Sequence, residues 1–148
     1  MLTSLVAAVV YAVLALLAKA IAQYHRAEPF TGTYEMFDVE GSTRRGGTVR
    51  IERTNWKADL VSFQPILTVS AEHGTGHDPG TTDWTATVEV LGLSKTASGY
   101  YSYPNEDGGA LRLVLSNDDE IIEYGTPFNP QYRPFRLVLK RKRRVGQL

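Results

Sequence analysis

The 148-residue sequence contains no cysteine and only three histidines. The absence of cysteine excludes thiol nucleophiles, disulfides, iron–sulfur clusters and zinc fingers. It is compatible with a reducing compartment, although many exported bacterial proteins also lack cysteine. The 43% hydrophobic and 22% charged residues predict one folded domain with a small appendage.

Positive charge is scarce outside one cluster near the C-terminus. Residues 140–144 hold five of the sixteen basic side chains, which leaves eleven basic against sixteen acidic groups, a net charge of −5. Proteins that bind nucleic-acid polymers need a basic surface to displace the counterions of phosphate groups. The charge distribution therefore argues against a nucleic-acid polymer as the partner.

No charged residue precedes Lys19, and the apolar run continues to residue 22. About 21 helical residues at about 1.5 Å each span about 32 Å, enough to cross a bilayer core. We therefore predict a transmembrane helix over residues 1–22. The alternatives are a signal peptide cleaved after Ala20-Ile21-Ala22, which would lack the usual basic start, and a buried core helix, which would carry an apolar stripe rather than be apolar all round.

No cationic side chain precedes the apolar run, whereas Lys19 lies near its end and Arg26, Arg44 and Arg45 follow it. The positive-inside rule then predicts a single-pass protein of the inner (cytoplasmic) membrane with its C-terminal domain in the cytoplasm.

After a linker over residues 23–29, the apolar periodicity changes to two, which is typical of strands. Trp84, Ala86, Val88 and Val90 mark one face of the clearest strand. We predict a mostly β fold, a small antiparallel meander β-barrel over residues 30–140 with eight or nine strands, followed by a basic tail over 141–148. A β-sandwich is the alternative. The predicted strands are 32–37, 48–52, 56–61, 66–71, 84–90, 99–103, 111–116, 120–124 and 135–140.

His73, His77 and Asp78 are weak candidate metal ligands. Two imidazoles and a carboxylate suit zinc or ferrous iron, but this Gly-rich loop has no rigid element to fix their geometry, so a solvated loop is the better interpretation. With histidines only at these two positions and at 25, no Ser-His-acid grouping is apparent. We expect a non-enzymatic protein without a cofactor.

Ligand binding is the remaining possibility for a site. Arg44 and Arg45 precede two glycines and could hold a phosphate, although a hairpin that needs glycine explains the pattern better. Inward-facing Arg50 or Arg112 would indicate an anionic ligand, because a buried guanidinium needs a partner. The aromatic residues that would fill the barrel or line its cavity include Trp56, Trp84, Tyr101 and Tyr103.

The basic cluster at 140–144 has two interpretations of equal weight. It could lie against anionic lipid of the membrane, or it could be a disordered tail that aids solubility.

A membrane helix, a short Pro-containing linker and the strand opening Gly32-Thr33-Tyr34 together resemble a known group. They are similar to the two-transmembrane, β-strand-rich effectors of bacterial cyclic-oligonucleotide anti-phage systems. That resemblance implies a barrel that senses a cyclic nucleotide and helices that oligomerise to disrupt the inner membrane, as an antiviral defence. The chain departs from the family in having one span. Gly99-Tyr100-Tyr101 also resembles lipocalin-like barrels.

The leading hypothesis is therefore a membrane-anchored barrel that senses a ligand and acts through homo-oligomers. The alternative is a non-catalytic accessory subunit of a larger membrane complex, whose helix docks to partner subunits. Arginines inside a water-accessible cavity would favour the first hypothesis, and a filled barrel with an exposed apolar face the second.

Overall fold

A computed structural model describes residues 1–55, 57, 64–72, 84–92, 95–104 and 107–142. One long helix and a short 3-10 helix precede eight strands. The elements are α1 (Leu2–Ala27), the 3-10 helix (Glu28–Phe30), β1 (Gly32–Phe37), β2 (Arg44–Arg53), β3 (Ile66–Glu72), β4 (Trp84–Val90), β5 (Thr96–Ser102), β6 (Gly108–Asn117), β7 (Glu120–Pro127) and β8 (Phe135–Arg141).

The strands form a closed antiparallel barrel in which each strand pairs with the next along the chain. The seam between β1 and β8 closes the barrel, with Tyr34 opposite Arg141 and Phe37 opposite Val138. The predicted barrel of eight or nine strands is confirmed, and the sandwich alternative is not what the chain forms. The strand predicted at 56–61 lies outside the described residues.

The period-two pattern decides which side chains fill the barrel. In β4, Trp84, Ala86, Val88 and Val90 are buried, while the residues between them are exposed. Most of the largest fully buried side chains come from strands all around the barrel, and the apolar ones pack into one hydrophobic cluster. They include Tyr34, Ile51, Leu67, Leu113, Ile121 and Leu139.

The helix α1 projects from one end of this barrel. Its most apolar stretch has a mean hydropathy of 2.4, is not buried at all, and is long enough to cross a membrane. Such complete exposure distinguishes α1 from the core helix of a soluble protein, which buries its apolar surface against the rest of the fold.

The helix also extends further than the sequence pattern indicated. It continues to Ala27, and the 3-10 helix follows at once, so the segment predicted as a linker over 23–29 is helical up to β1. Gln23, Ala27 and Phe30 are buried at the end of the barrel. Tertiary contacts of these last turns, described below, explain why they stay helical.

Candidate functional site

The first candidate site is the junction between α1 and the barrel. The Arg26 guanidinium donates hydrogen bonds to the carbonyl oxygen of Gly92, at 2.6 Å from Nη2 and 3.0 Å from Nε. It also donates to the carbonyl oxygen of Val90, at 3.3 Å, and to Oε1 of Gln64. Gly92 has a φ of 53°, a conformation that glycine adopts without steric cost. Arg26 thus fixes the last turn of α1 to the connection between β4 and β5.

A second set of contacts fixes the chain just after the helix. Tyr34 Oη donates a hydrogen bond to the carbonyl oxygen of Phe30 at 2.8 Å. Burial raises the pKa of Tyr34 to about 12, against the opposing effect of Arg141, so the hydroxyl stays a donor. Arg141 donates to the carbonyl oxygens of Pro29, at 3.0 Å, and Thr31, and its guanidinium lies 5.0 Å from the centre of the Tyr34 ring. The helix therefore joins the barrel through fixed contacts.

The second candidate site is an aromatic cluster inside the barrel, at the end opposite to α1. The ring of Tyr101 lies at its centre, with ring centroids 5.8 Å from those of Trp84, Tyr103 and Phe135. Trp84 and Tyr101 are buried, whereas Tyr103 and Phe135 are partly buried. Three predicted ligand-binding residues, Trp84, Tyr101 and Tyr103, therefore come together.

A buried carboxyl group lies near this cluster. Glu123 is fully buried, and neither of its carboxylate oxygens has a hydrogen-bond partner among the described residues. Burial raises its pKa to about 8, so most molecules hold it protonated at neutral pH. Burial also raises the pKa values of Tyr101 and Tyr103, and the charge of Glu123 adds to both shifts.

Sequence reasoning missed Glu123, although a signal was present. Ile121, Glu123 and Gly125 are the buried residues at every second position of β7. The Glu123 side chain therefore lies on the same inward face of the strand as Ile121. Because glutamate is rarely fully buried in proteins, the alternation alone did not lead to Glu123 being predicted as an interior residue.

The third candidate site is a groove on the outer face of the barrel. It has a volume of about 910 Å³ and crosses β4 to β7. Arg112 lies 4.8 Å and Arg136 5.7 Å from the centre of the Tyr124 ring. Within the described part of the chain, neither guanidinium has an ion-pair partner. Residues that line the groove include Thr87, Glu89, Tyr100, Ala110, Arg112 and Tyr124.

The predicted arginines do not point into the barrel. Arg50 and Arg112 alternate with inward-facing neighbours and are exposed on the outer surface. The nearest acidic partner of Arg50 is Glu52, at 3.9 Å, and both side chains are more than half exposed. An anionic ligand inside the barrel would therefore meet neither of these arginines.

Arg44 and Arg45 belong to β2, although the sequence placed them before the predicted strand over 48–52, next to a glycine-containing hairpin. Gly46 and Gly47 have φ values of 65° and 85° and lie where the β1–β2 register shifts, so they form a β-bulge instead of a turn. Both arginines are exposed, and Arg44 Nη2 lies 3.2 Å from Oε1 of Glu35. Arg44, one of the two proposed phosphate ligands, is therefore already paired with a carboxylate.

The remaining predicted residues, Trp56 and the metal candidates His73, His77 and Asp78, lie outside the described residues. Across residues 1–55, 57, 64–72, 84–92, 95–104 and 107–142, no group of three or more potential metal ligands comes together.

Comparisons with known proteins give a fold neighbour. No protein-family model matches the chain, and neither does any curated protein sequence. A solved structure described as a redesigned beta barrel is similar, with a TM-score of 0.53 and 15% sequence identity over 80% of this chain and 96% of that chain. At this level of identity, the similarity supports the barrel fold alone.

Proposed function

We propose that this chain is a non-enzymatic accessory subunit of a membrane assembly. In this proposal α1 crosses the inner membrane once and docks to the helices of partner subunits, while the barrel covers one side of the complex from the cytoplasm. The basic residues that follow the span support this orientation.

The observation that carries the proposal is the contrast along α1. The first eighteen residues are exposed on every side, uncharged and mostly apolar, whereas the last turns are fixed to the barrel by Arg26 and Phe30. An apolar helix surface needs lipid or other helices around it. A fixed junction between helix and barrel suits a protein that holds its barrel at one position relative to its membrane partners.

The filled interior also favours this function over sensing inside the barrel. Large side chains such as Tyr34, Ile51 and Leu67 occupy the core, and the exposed arginines lie outside.

A purification experiment tests the proposal. The full chain would be isolated with an affinity tag in mild detergent from its host cell, and co-purifying membrane subunits would be identified by mass spectrometry. The matched variant replaces residues 2–18 by leucine, which keeps the length and apolarity but removes the specific helix surface. We expect a defined set of partners that is lost in the leucine variant. Equal recovery with both helices would contradict docking through α1.

A second function, ligand sensing followed by oligomerisation, is supported by the outer groove. Arg112, which lines the groove together with Glu89, and Arg136, on the neighbouring strand β8, both lie against the Tyr124 ring and lack a carboxylate partner among the described residues. Guanidinium groups beside an aromatic ring suit a planar anion such as a cyclic nucleotide.

A thermal-shift screen of the detergent-solubilised full chain against cyclic di- and trinucleotides tests this second function. A ligand at one hundred times its Kd stabilises a protein by roughly 2.7 kcal/mol. We expect the shift to disappear in Arg112→Ala/Arg136→Ala but to persist in Arg45→Ala/Arg133→Ala, which removes the same charge at another place. No shift with any nucleotide would exclude these ligands.

A further inference from the structure

We propose that the barrel end from which α1 projects, the helix-end face, rests on a membrane surface of anionic phospholipid headgroups. This inference depends on the proposed insertion of α1 in a membrane. The occupant follows from the topology, the distance along the helix and the charges at this end.

The strand order determines which residues share this face. Because β1 starts directly after the helices and all strands are antiparallel, the helix-end face carries the β2–β3, β4–β5 and β6–β7 connections and the end of β8. The backbone N–H of Lys142 donates to the carbonyl oxygen of Thr33 at 2.7 Å, which fixes the exit of the chain beside the start of β1. The last described residue of the basic cluster therefore lies at the same end as α1.

The short helical segment between the apolar part of α1 and the barrel limits the distance between the barrel and the membrane. Lys19 is the first charged residue, and Gln23, four residues later, is already buried at the barrel end. Four helical residues extend about 6 Å. This distance is shorter than the Debye length of about 8 Å in physiological salt, so charges on the helix-end face experience the potential of the lipid surface.

The charges at this end favour an anionic surface. Lys57, Lys95 and Lys142 are exposed in three separate parts of the face, and two more arginines follow Lys142 in the sequence. Anionic headgroups attract such juxtamembrane lysines.

The face also contains the exposed Glu28 of the 3-10 helix and the acidic turn between β6 and β7. Its Asp119 carboxylate lies 3.8 Å from Nε of Arg141, so this cation offsets part of the acidic charge. The exposed basic residues, in contrast, lie on the β2–β3 and β4–β5 connections and on the β8 exit. We therefore expect the anionic headgroups to contact the face mainly at these two connections and at the β8 exit.

Site-specific quenching tests the inference, and the absence of cysteine makes the labelling unambiguous. A fluorophore would be attached to Asn55→Cys on the helix-end face, or to Gln131→Cys at the opposite end, in the otherwise intact chain. Each protein is placed in bilayers of phosphatidylcholine alone or mixed with phosphatidylglycerol, both doped with a headgroup nitroxide quencher. We expect phosphatidylglycerol to raise quenching at position 55 at least about twofold, because anionic lipid attracts the lysines, and to leave position 131 unchanged.

Charge reversal provides the matched comparison. Lys95→Glu/Lys142→Glu should abolish the rise, and so should high salt, whereas Arg45→Glu/Arg133→Glu, with the same change in net charge, should leave it intact. Quenching at position 55 that is independent of lipid charge, or equal losses in both variants, would overturn the inference.

Alkaline extraction of the bilayers distinguishes a failure of membrane insertion from a failure of the lipid contact. A chain that is extracted from both bilayers contradicts membrane insertion and the lipid contact with it. A chain that stays inserted but shows no dependence on lipid charge contradicts only the lipid contact.

Discussion

Arg26 and Gly92 lie 66 residues apart in the sequence and are joined by a hydrogen bond of 2.6 Å between Nη2 and the carbonyl oxygen. The same guanidinium donates to Val90 and Gln64, so a single side chain connects α1 to two parts of the barrel. These hydrogen bonds tie the last turn of α1 to the barrel.

Removing this guanidinium should weaken the barrel as well as the junction. Arg26→Ala leaves the carbonyl oxygens of Val90 and Gly92 without their donor, and we expect the free energy of unfolding to fall by about 2 kcal/mol. Arg26→Lys should not restore it, because one ammonium group cannot reproduce the planar fork. Urea unfolding in detergent, followed by tryptophan fluorescence, measures the change. Arg45→Ala is the control, and a midpoint equal to that control would refute the prediction.

The packing of Phe135 on Gly125 predicts a coupled pair. A Cβ atom at Gly125 would collide with the ring of Phe135, which covers the bare backbone. Overpacking of this kind costs about 1–3 kcal/mol, so Gly125→Ala should be destabilising by that amount. In a Phe135→Ala background the same substitution should cost much less, since the ring is gone. A double-mutant cycle measured by urea unfolding gives the coupling, and additive effects would show that the collision is relieved elsewhere.

Tyr101 and Tyr100 are neighbours in sequence with opposite environments. Tyr101 is buried among three aromatic rings, whereas Tyr100 is 68% exposed on the outer face. Tyr101→Ala should reduce the free energy of unfolding by about 3–5 kcal/mol, as expected when a large aromatic side chain is removed from a core. Tyr100→Ala should change it by less than about 1 kcal/mol. Thermal unfolding of both variants makes the comparison, and similar losses would mean that Tyr101 does not anchor the cluster.

The sequence was sufficient to predict the barrel because its signal is local. Each clear strand alternates apolar and polar residues, as from Trp84 to Val90, and eight such strands, each paired with the next along the chain, can close. The same alternation implied that Arg50 and Arg112 face outwards, since Val49, Ile51, Leu111 and Leu113 are their inward-facing neighbours.

The junction and the bulge depend on interactions that the local pattern does not contain. The helix continues through residues 23–27 because Arg26 finds acceptors at Val90 and Gly92, far along the chain. Likewise, Gly46 and Gly47 suit a turn as well as a bulge, and only the pairing of β1 with β2 selects the bulge.

Glu123 should make the stability of the barrel depend on pH in an unusual direction. The carboxyl group loses its proton near pH 4.5 in the unfolded chain but only near pH 8 in the folded barrel. The folded state therefore holds more protons between these values, and the free energy of unfolding falls by up to about 1.4 kcal/mol for each pH unit from 4.5 to 8. Below this window the group adds no penalty, and above it the penalty is constant.

Glu123→Gln isolates this contribution, because an amide of nearly the same shape does not ionise. The variant and the wild type should have similar stability at about pH 4, below this window, and the variant should become progressively more stable by comparison up to pH 8. Tyr101 and Tyr103, the titratable groups near the carboxyl, have pKa values raised by burial, so they stay protonated in this range. Urea unfolding at a series of pH values gives the difference, with exposed Glu89→Gln as the control. A difference between wild type and Glu123→Gln that does not change with pH would mean that the carboxyl group reaches solvent.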